Sequence, residues 1–477
     1  MDQKILQSTK WSGITELFSK LAMPLTNIFL ARILTPEVFG IVATFTMITS
    51  FVEVFTDAGF QKYLVQHEFQ NEKDQKLSTN VAFWTNFILS GLVWLCIYLF
   101  RDQLAVLVGS EGYGTEIAVM SLCIPLVALS SIQLAIFRRN FQFKELLPIR
   151  MIVCAVPMVV TVPLALLMRN CWALIIGAIC KELLNAILLT WRSLWKPSLE
   201  YSFAKLREML SFSMMILLDS FMIWLTSYAG TFIISVYLND YYTGLYKTGI
   251  TTISTYINLL YTITSPVLYA ALSRMQNNRK GCLDTYFKFQ HYTAFLALPL
   301  GIGIFVFRDF VTQILLGNQW SEASLLLGGM AAALALSSIT AQYNSDFFRS
   351  QGKPHVALIV QTIYVIVMVI VLYLAVQSSF AVVCMGRIAV AFAYPVISCV
   401  ALSLAFHVSF KKIIRSIYWP ALSAIIMGVG GFMLLKINEG IVWNIISVLI
   451  CIAIYGLMML IHPQIRKEVF NLKSKQK

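Results

Sequence analysis

The sequence predicts an all-α polytopic membrane protein of about 14 transmembrane helices, and three observations predict it. Of its 477 residues 58% are hydrophobic and 12% charged, about half the charge of a soluble domain. That much apolar surface must face something other than water. Stretches of about 20 mostly apolar residues, the length that spans a hydrocarbon core, recur along the chain. Lys and Arg fall mainly in alternate loops, as they do in loops that face the cytoplasm. The composition excludes an ordinary soluble enzyme and a disordered chain. It also argues against a nucleic-acid partner, although the net charge is +13.

In order, the expected spans are 11–33, 38–57, 79–99, 116–136, 149–168, 171–191, 210–236, 244–270, 286–306, 323–342, 355–376, 380–406, 416–436 and 442–461. The first carries charge, and the fifth and sixth are nearly continuous. An even count places both termini on one side. With the termini cytoplasmic, inner loops and tails hold 27 of the 36 Lys and Arg, among them Arg138, Arg139, Arg279, Lys280, Lys411 and Lys412. Outer loops hold six: Arg32, Arg101, Arg169, Lys247, Arg308 and Lys436. This split orients the chain and assigns its basic charge to topology and anionic lipid. Met1–Lys10 is polar, and Glu16 and Lys20 interrupt the first apolar run, so a cleavable signal is not expected.

Chemistry-bearing motifs are absent from the sequence. The nine cysteines lie mostly in apolar runs without CxxC spacing and read as packing residues. The five histidines are scattered, and there is no HExxH, GxSxG or Walker loop. No loop is long enough to house a catalytic domain. A non-enzyme without metal or cofactor is therefore expected, driven by an ion gradient, the membrane potential or downstream consumption of its substrate.

The halves repeat. Leu34…Gly40 follows the first span, and Leu238…Gly244 follows the seventh with the same spacing. Phe100-Arg101-Asp102 matches Phe307-Arg308-Asp309; Phe137-Arg138 matches Phe348-Arg349; Trp172-Ala173 matches Phe380-Ala381. The offsets lie between 204 and 211. Six helices separate each pair, so the repeat is parallel, as in transporters that rock around a midplane site. The expected organisation is a six-helix lobe over 1–200, a second over 201–410, and helices 13 and 14 with a basic cytoplasmic tail over 411–477. The lobes would face each other across a cleft.

The run from Phe29 to Gly40 (FLARILTPEVFG), Phe55-Thr-Asp-Ala-Gly-Phe60, Ser265-Pro-Val267 and Gly317-Asn-Gln-Trp320 resemble bacterial Wzx-like oligosaccharide flippases, close to the WzxC-type branch of the MATE-flippase superfamily. The resemblance covers most of the chain. It implies twelve helices in two lobes plus a terminal pair, and an undecaprenyl-pyrophosphate-linked oligosaccharide as cargo, moved to the outer leaflet of the bacterial inner membrane. Membrane lipids and polysaccharide polymerase machinery are the other partners considered. A MATE-type multidrug or cation antiporter is the alternative, and a membrane glycan polymerase or ligase the third reading.

Ionisable groups at bilayer depth cost about 2.5–3.5 kcal/mol on insertion scales, so they mark cavities or partners. Glu16 and Lys20 lie one turn apart on the first span, and Asp219 lies on the seventh, 203 residues after Glu16. Lys181 and Glu182 lie on the sixth, and Arg387 on the twelfth, 206 after Lys181. Lys20, Lys181 and Arg387 are the candidate cations for a pyrophosphate. Glu16, Asp219, Glu182, Glu53 and Asp57 are the candidates for coupling or gating, with internal salt bridges as the competing use. Pro24 and Gly230, 206 apart, are candidate hinges. Trp84, Trp94, Tyr98, Trp224, Tyr228, Tyr256 and Tyr261 are candidates for stacking on sugar rings, against a role in interfacial belts.

Overall fold

The computed structural model describes residues 24–461, apart from 58, 277 and 439. Helix α1 is described over 24–33, and a bend at Leu34 and Thr35 separates it from α2 (Pro36–Asp57). Pro36 sits at the first helical position, where a missing N–H costs no hydrogen bond. Next come α3 (Phe60–Gln66), α4 (Glu72–Leu99), α5 (Arg101–Leu107), α6 (Gly114–Met120) and α7 (Cys123–Arg139). The fifth span is α8 (Phe143–Val156) and α9 (Val162–Met168), joined by a π turn at Pro157–Thr161. Pro157 and Pro163 lack the N–H that a regular α-helical ladder would use there. The long helices α10 (Cys171–Arg192), α11 (Phe203–Tyr237) and α12 (Asp240–Arg274) follow.

The rest of the chain begins with α13 (Arg279–Val306) and the short α14 (Arg308–Leu315). A 3-10 turn at Asn318–Ala323 leads into α15 (Ser324–Ile339) and α16 (Ala341–Ser350). Then come α17 (Pro354–Val376), α18 (Phe380–Phe406), α19 (Phe410–Leu435) and α20 (Ile441–Ile461). Among the described residues, 12 helices are long and apolar enough to cross a membrane. They match 12 of the 14 expected spans. The first expected span lies largely outside the described residues. The eighth is α12, whose 35 residues include ten Ser and Thr and six Tyr. Its hydroxyls bond back into the helix, Thr255 to the Thr251 carbonyl at 2.8 Å and Thr262 to that of Asn258 at 2.9 Å. Polar groups satisfied in this way can lie in an apolar medium.

Two compact units divide the chain, one up to Lys247 and one from Thr248. In the first, α2 packs on α4, α7, α10 and α11, around Phe45, Met47, Ile124 and Ile175. Helix α11, placed by the sequence at the start of a second lobe over 201–410, packs on α2, α3 and α4. In the second unit, α13 packs on α15 and α19, and α18 on α15 and α17. Tyr286, Tyr343 and Phe347 are buried there. The span from Asn318 to Ser350 is the most deeply buried of the 12. Outward-facing Leu167, Leu404 and Val442 are more than two-thirds exposed, as befits surface that meets lipid.

The repeat is visible in the elements. Helices α4 and α13 both have 28 residues and are offset by 207 at both ends. Each turns at a phenylalanine, Phe100 at φ −107, ψ 22 and Phe307 at φ −96, ψ 27, into a short helix starting with Arg-Asp. The Gly40 and Gly244 motifs meet within the first unit. A Cβ on Gly40 would lie 1.8 Å from the Asp240 carbonyl oxygen, and one on Gly244 would lie 1.8 Å from that of Pro36. The contact is reciprocal, position 36 with 244 and position 240 with 40. Only glycine allows the two helix starts to approach so closely.

Candidate functional site

Glu53 and Asp57 stand one turn apart on α2 and line a cavity of about 420 Å³ with Gln61, Asn86, Ser131 and Ser220. Five helices contribute: α2, α3, α4, α7 and α11. The chain turns sharply between α2 and α3 through Gly59, at φ +74, a conformation that favours glycine. This turn brings Gln61 and Lys62 to the same cavity as the two carboxylates.

Aromatic rings from α11 form one wall. Trp224 and Tyr228 line the cavity. Phe221 and Trp224 stack with centroids 6.3 Å apart, and Trp224 and Tyr228 at 5.8 Å. Trp224 is fixed by its indole N–H, which reaches Ser50 Oγ at 3.1 Å and the Met47 carbonyl at 3.3 Å. Lys247 Nζ sits 3.6 Å from the Tyr228 ring centroid and donates to the Ser227 carbonyl at 3.0 Å. An ammonium over a ring face is electrostatically favourable. Trp224 and Tyr228, both among the expected stacking candidates, lie four residues apart on α11. Trp84 and Trp94 donate their N–H groups to the carbonyls of Ser198 and Ala118 and are not among the residues that line this cavity.

Lys181 and Glu182 pair at 2.7 Å on α10, within Coulombic reach of Glu53. The structure therefore gathers Glu53, Asp57, Glu182 and Lys181 in one unit, and this neighbourhood is richer in carboxylates than in cations. Asp219 is half-buried on α11 beside cavity-lining Ser220. Gly230 is buried within α11, which runs through it as one helix. Pro24 is the first described residue of α1. Glu16 and Lys20 lie outside the described residues.

Arg387 belongs to the second unit. It is 6% exposed and donates through Nη1 to the Tyr364 hydroxyl at 2.9 Å. The Tyr364 ring packs on Tyr394 at 4.5 Å. The same unit holds a carboxylate that the sequence analysis missed. Asp346, 5% exposed on α16, accepts from Ser265 at 2.7 Å and from the Tyr261 hydroxyl at 3.1 Å. Tyr261 is thus engaged with an acid. Asp346 escaped notice because Gln342, Asn344 and Ser345 end the apolar window at 342, although the backbone stays helical to Ser350. Among the described residues, no group of three His, Cys, Asp or Glu side chains is placed to hold a metal ion.

Residues 29–325 match the family described as polysaccharide biosynthesis protein. The chain is 24% identical over 329 residues to the succinoglycan biosynthesis transport protein ExoT of Rhizobium meliloti (strain 1021), a match covering 69% of this chain and 65% of that protein. It is 20% identical over 327 residues to the lipopolysaccharide biosynthesis protein WzxC of Escherichia coli (strain K12), covering 67% and 65%. The chain thus spans about two-thirds of the length of the curated relatives it matches. In fold it is similar to the lipid II flippase MurJ in an inward closed conformation, with TM-score 0.74, 16% identity and coverage of 94% and 98%. It is also similar to an inward-facing multidrug resistance MATE family transporter, with TM-score 0.61, 12% identity and coverage of 83% and 94%.

Proposed function

Because the chain belongs to the polysaccharide biosynthesis protein family, we propose that it flips an undecaprenyl-pyrophosphate-linked oligosaccharide across the bacterial inner membrane by alternating access. Both termini face the cytoplasm in this reading. The observation that carries it is the cavity of the first unit, which combines an aromatic wall with acids and amides inside a set of membrane-crossing helices. Sugar rings offer apolar faces to aromatics and hydroxyls to carboxylates and amides, whereas a simple apolar drug needs few such polar groups. The names of ExoT and WzxC support the same class of cargo.

The charges set the order of events. A pyrophosphate entering near Glu53, Asp57 and Glu182 meets repulsion unless the acids are protonated or hold a cation. Lys181 supplies the opposite charge when its pair with Glu182 loosens. Neutralisation of the acids thereby couples cargo entry to a proton or cation, with Asp219 and Glu16 as further contributors. Arg387, which donates to the Tyr364 hydroxyl in the second unit, and Lys20 of the first span are the further cations for the pyrophosphate.

Deletion of the gene tests the reading. Surface glycan is expected to fall, with lipid-linked repeat units accumulating, and plasmid-borne wild-type protein should restore it. Untouched surface glycan together with a drug-efflux phenotype would replace this reading with the antiporter.

A further inference from the structure

A second cavity, about 570 Å³, lies in the unit that starts at Thr248, where α14 and the following turn meet the adjoining ends of α19 and α20. Its volume falls within the range of small-molecule sites, about 300–1,000 Å³. Two of its polar side chains are deeply buried, Thr312 at 1% and Asn444 at 8% exposure. No protein group answers Thr312 Oγ1 or Asn444 Oδ1. Leaving a buried acceptor or donor unanswered costs about 1–3 kcal/mol, so the two atoms are unspent hydrogen-bonding capacity in residues that line the cavity.

The motif Gly317-Asn-Gln-Trp320 builds one edge of this cavity. Gly317 adopts φ +104, a conformation that favours glycine, and Trp320 is fully buried and anchors the turn. Between them Asn318 is exposed and lines the cavity, with Gln313 and Ser321. The aromatic side chains of Phe307 and Phe310 complete the lining.

The chemistry of the lining selects the occupant. Among the described residues Lys, Arg and His are absent from it, so a phosphate would find no charged donor there. Among the described residues Asp309 is the sole carboxylate of the lining, and it lies 4.0 Å from Arg308 Nε, which is poor provision for a hard cation that wants several oxygens. Amides, hydroxyls and two aromatic rings suit a neutral sugar, with its hydroxyls and its apolar ring face. Sequence charge places this end away from the cytoplasm. Arg308 and Lys436 are its basic residues, whereas Arg274, Arg279, Lys280, Lys411 and Lys412 belong to the opposite loops.

We propose that this cavity is a saccharide-binding site on the outer side of the second unit, which holds a neutral sugar of the glycan as it leaves. That the sugar belongs to the transported cargo rests on the function proposed above; recognition of the sugar itself does not.

The test is saturation-transfer NMR on the purified full chain in lipid nanodiscs, with free glucose, galactose and N-acetylglucosamine as probes. Transfer to the ring protons of at least one sugar is expected, with a Kd on the order of millimolar (about −4 kcal/mol). Binding should weaken at least tenfold in Thr312→Val and in Asn444→Leu. The exposed-position variants Gln313→Ala and Asn318→Ala should also weaken it, and they serve where a buried variant fails to accumulate. Absence of transfer from all three sugars, or transfer unchanged in the accumulating variants, overturns the site. Normal surface glycan after gene deletion with sugar binding intact removes the cargo reading and leaves the site standing.

Discussion

Trp224 shows how one side chain is prepared for a role. Its indole N–H is committed to Ser50 and Met47, so the ring keeps its plane while its neighbours Phe221 and Tyr228 extend the stack. Trp224→Ala should cut glycan export roughly tenfold, about 1.4 kcal/mol and within the range of an aromatic contact, while Trp224→Phe should retain most of it. Pulse-labelled surface glycan at matched protein levels measures both. A second residue-scale prediction concerns Glu208, at the non-membrane end of α11. Lys205 lies 2.8 Å from Glu208 and 2.9 Å from Asp74, and Tyr63 donates to Glu208 at 2.9 Å. The hydrogen bond from Lys205 holds the Glu208 carboxyl below its ordinary value of 4.5. A depressed carboxyl stabilises the fold above its unfolded pKa, and that contribution disappears as pH falls through the folded value. The wild type should therefore lose thermal stability as pH falls below about 4.5 by a step that Glu208→Gln lacks. Tm across pH 3–7 in detergent reads the difference.

At the scale of elements, glycine pairs and helix breaks explain what the sequence disclosed and what it concealed. The twelfth span was expected over 380–406, and α18 runs Phe380–Phe406. Continuous apolar runs between polar ends fix such limits. Helices α11 and α12 run well beyond their expected limits because polar residues extend a helix without extending its apolar run. The matching Leu…Gly motifs were legible as a repeat. Their mutual contact was not, because the approach of Gly40 to Asp240 depends on tertiary packing. The cavity was legible in part: Glu53, Asp57, Trp224 and Tyr228 were all candidates, but only folding brings α3 and α7 to them. Gly40→Ala or Gly244→Ala must push the two helix starts apart against a backbone carbonyl. Each should destabilise the protein by about 1–3 kcal/mol, seen as a lower Tm, the range for overpacking a tight site. A wild-type Tm in both variants would show that the contact is dispensable.

For the whole molecule, orientation and transport are the claims to test. Cysteine tags at Asn71 and Gly281 should react only from the cytoplasm, and tags at Gly112 and Asn438 only from outside. Labelling of the first pair from outside would overturn the charge-based orientation. The central claim is movement of a lipid-linked glycan, and its most direct measurement is leaflet-resolved assay of that lipid in proteoliposomes. Purified protein is reconstituted with a polyprenyl-pyrophosphate oligosaccharide confined to one leaflet, and its appearance in the other is followed with a membrane-impermeant glycan-modifying enzyme. Protein-dependent appearance that responds to an imposed proton or sodium gradient, with that response lost in a combined Glu53→Gln, Asp57→Asn substitution, is the predicted result. Appearance at the rate of protein-free vesicles, under an imposed proton or sodium gradient of either sign, would contradict it.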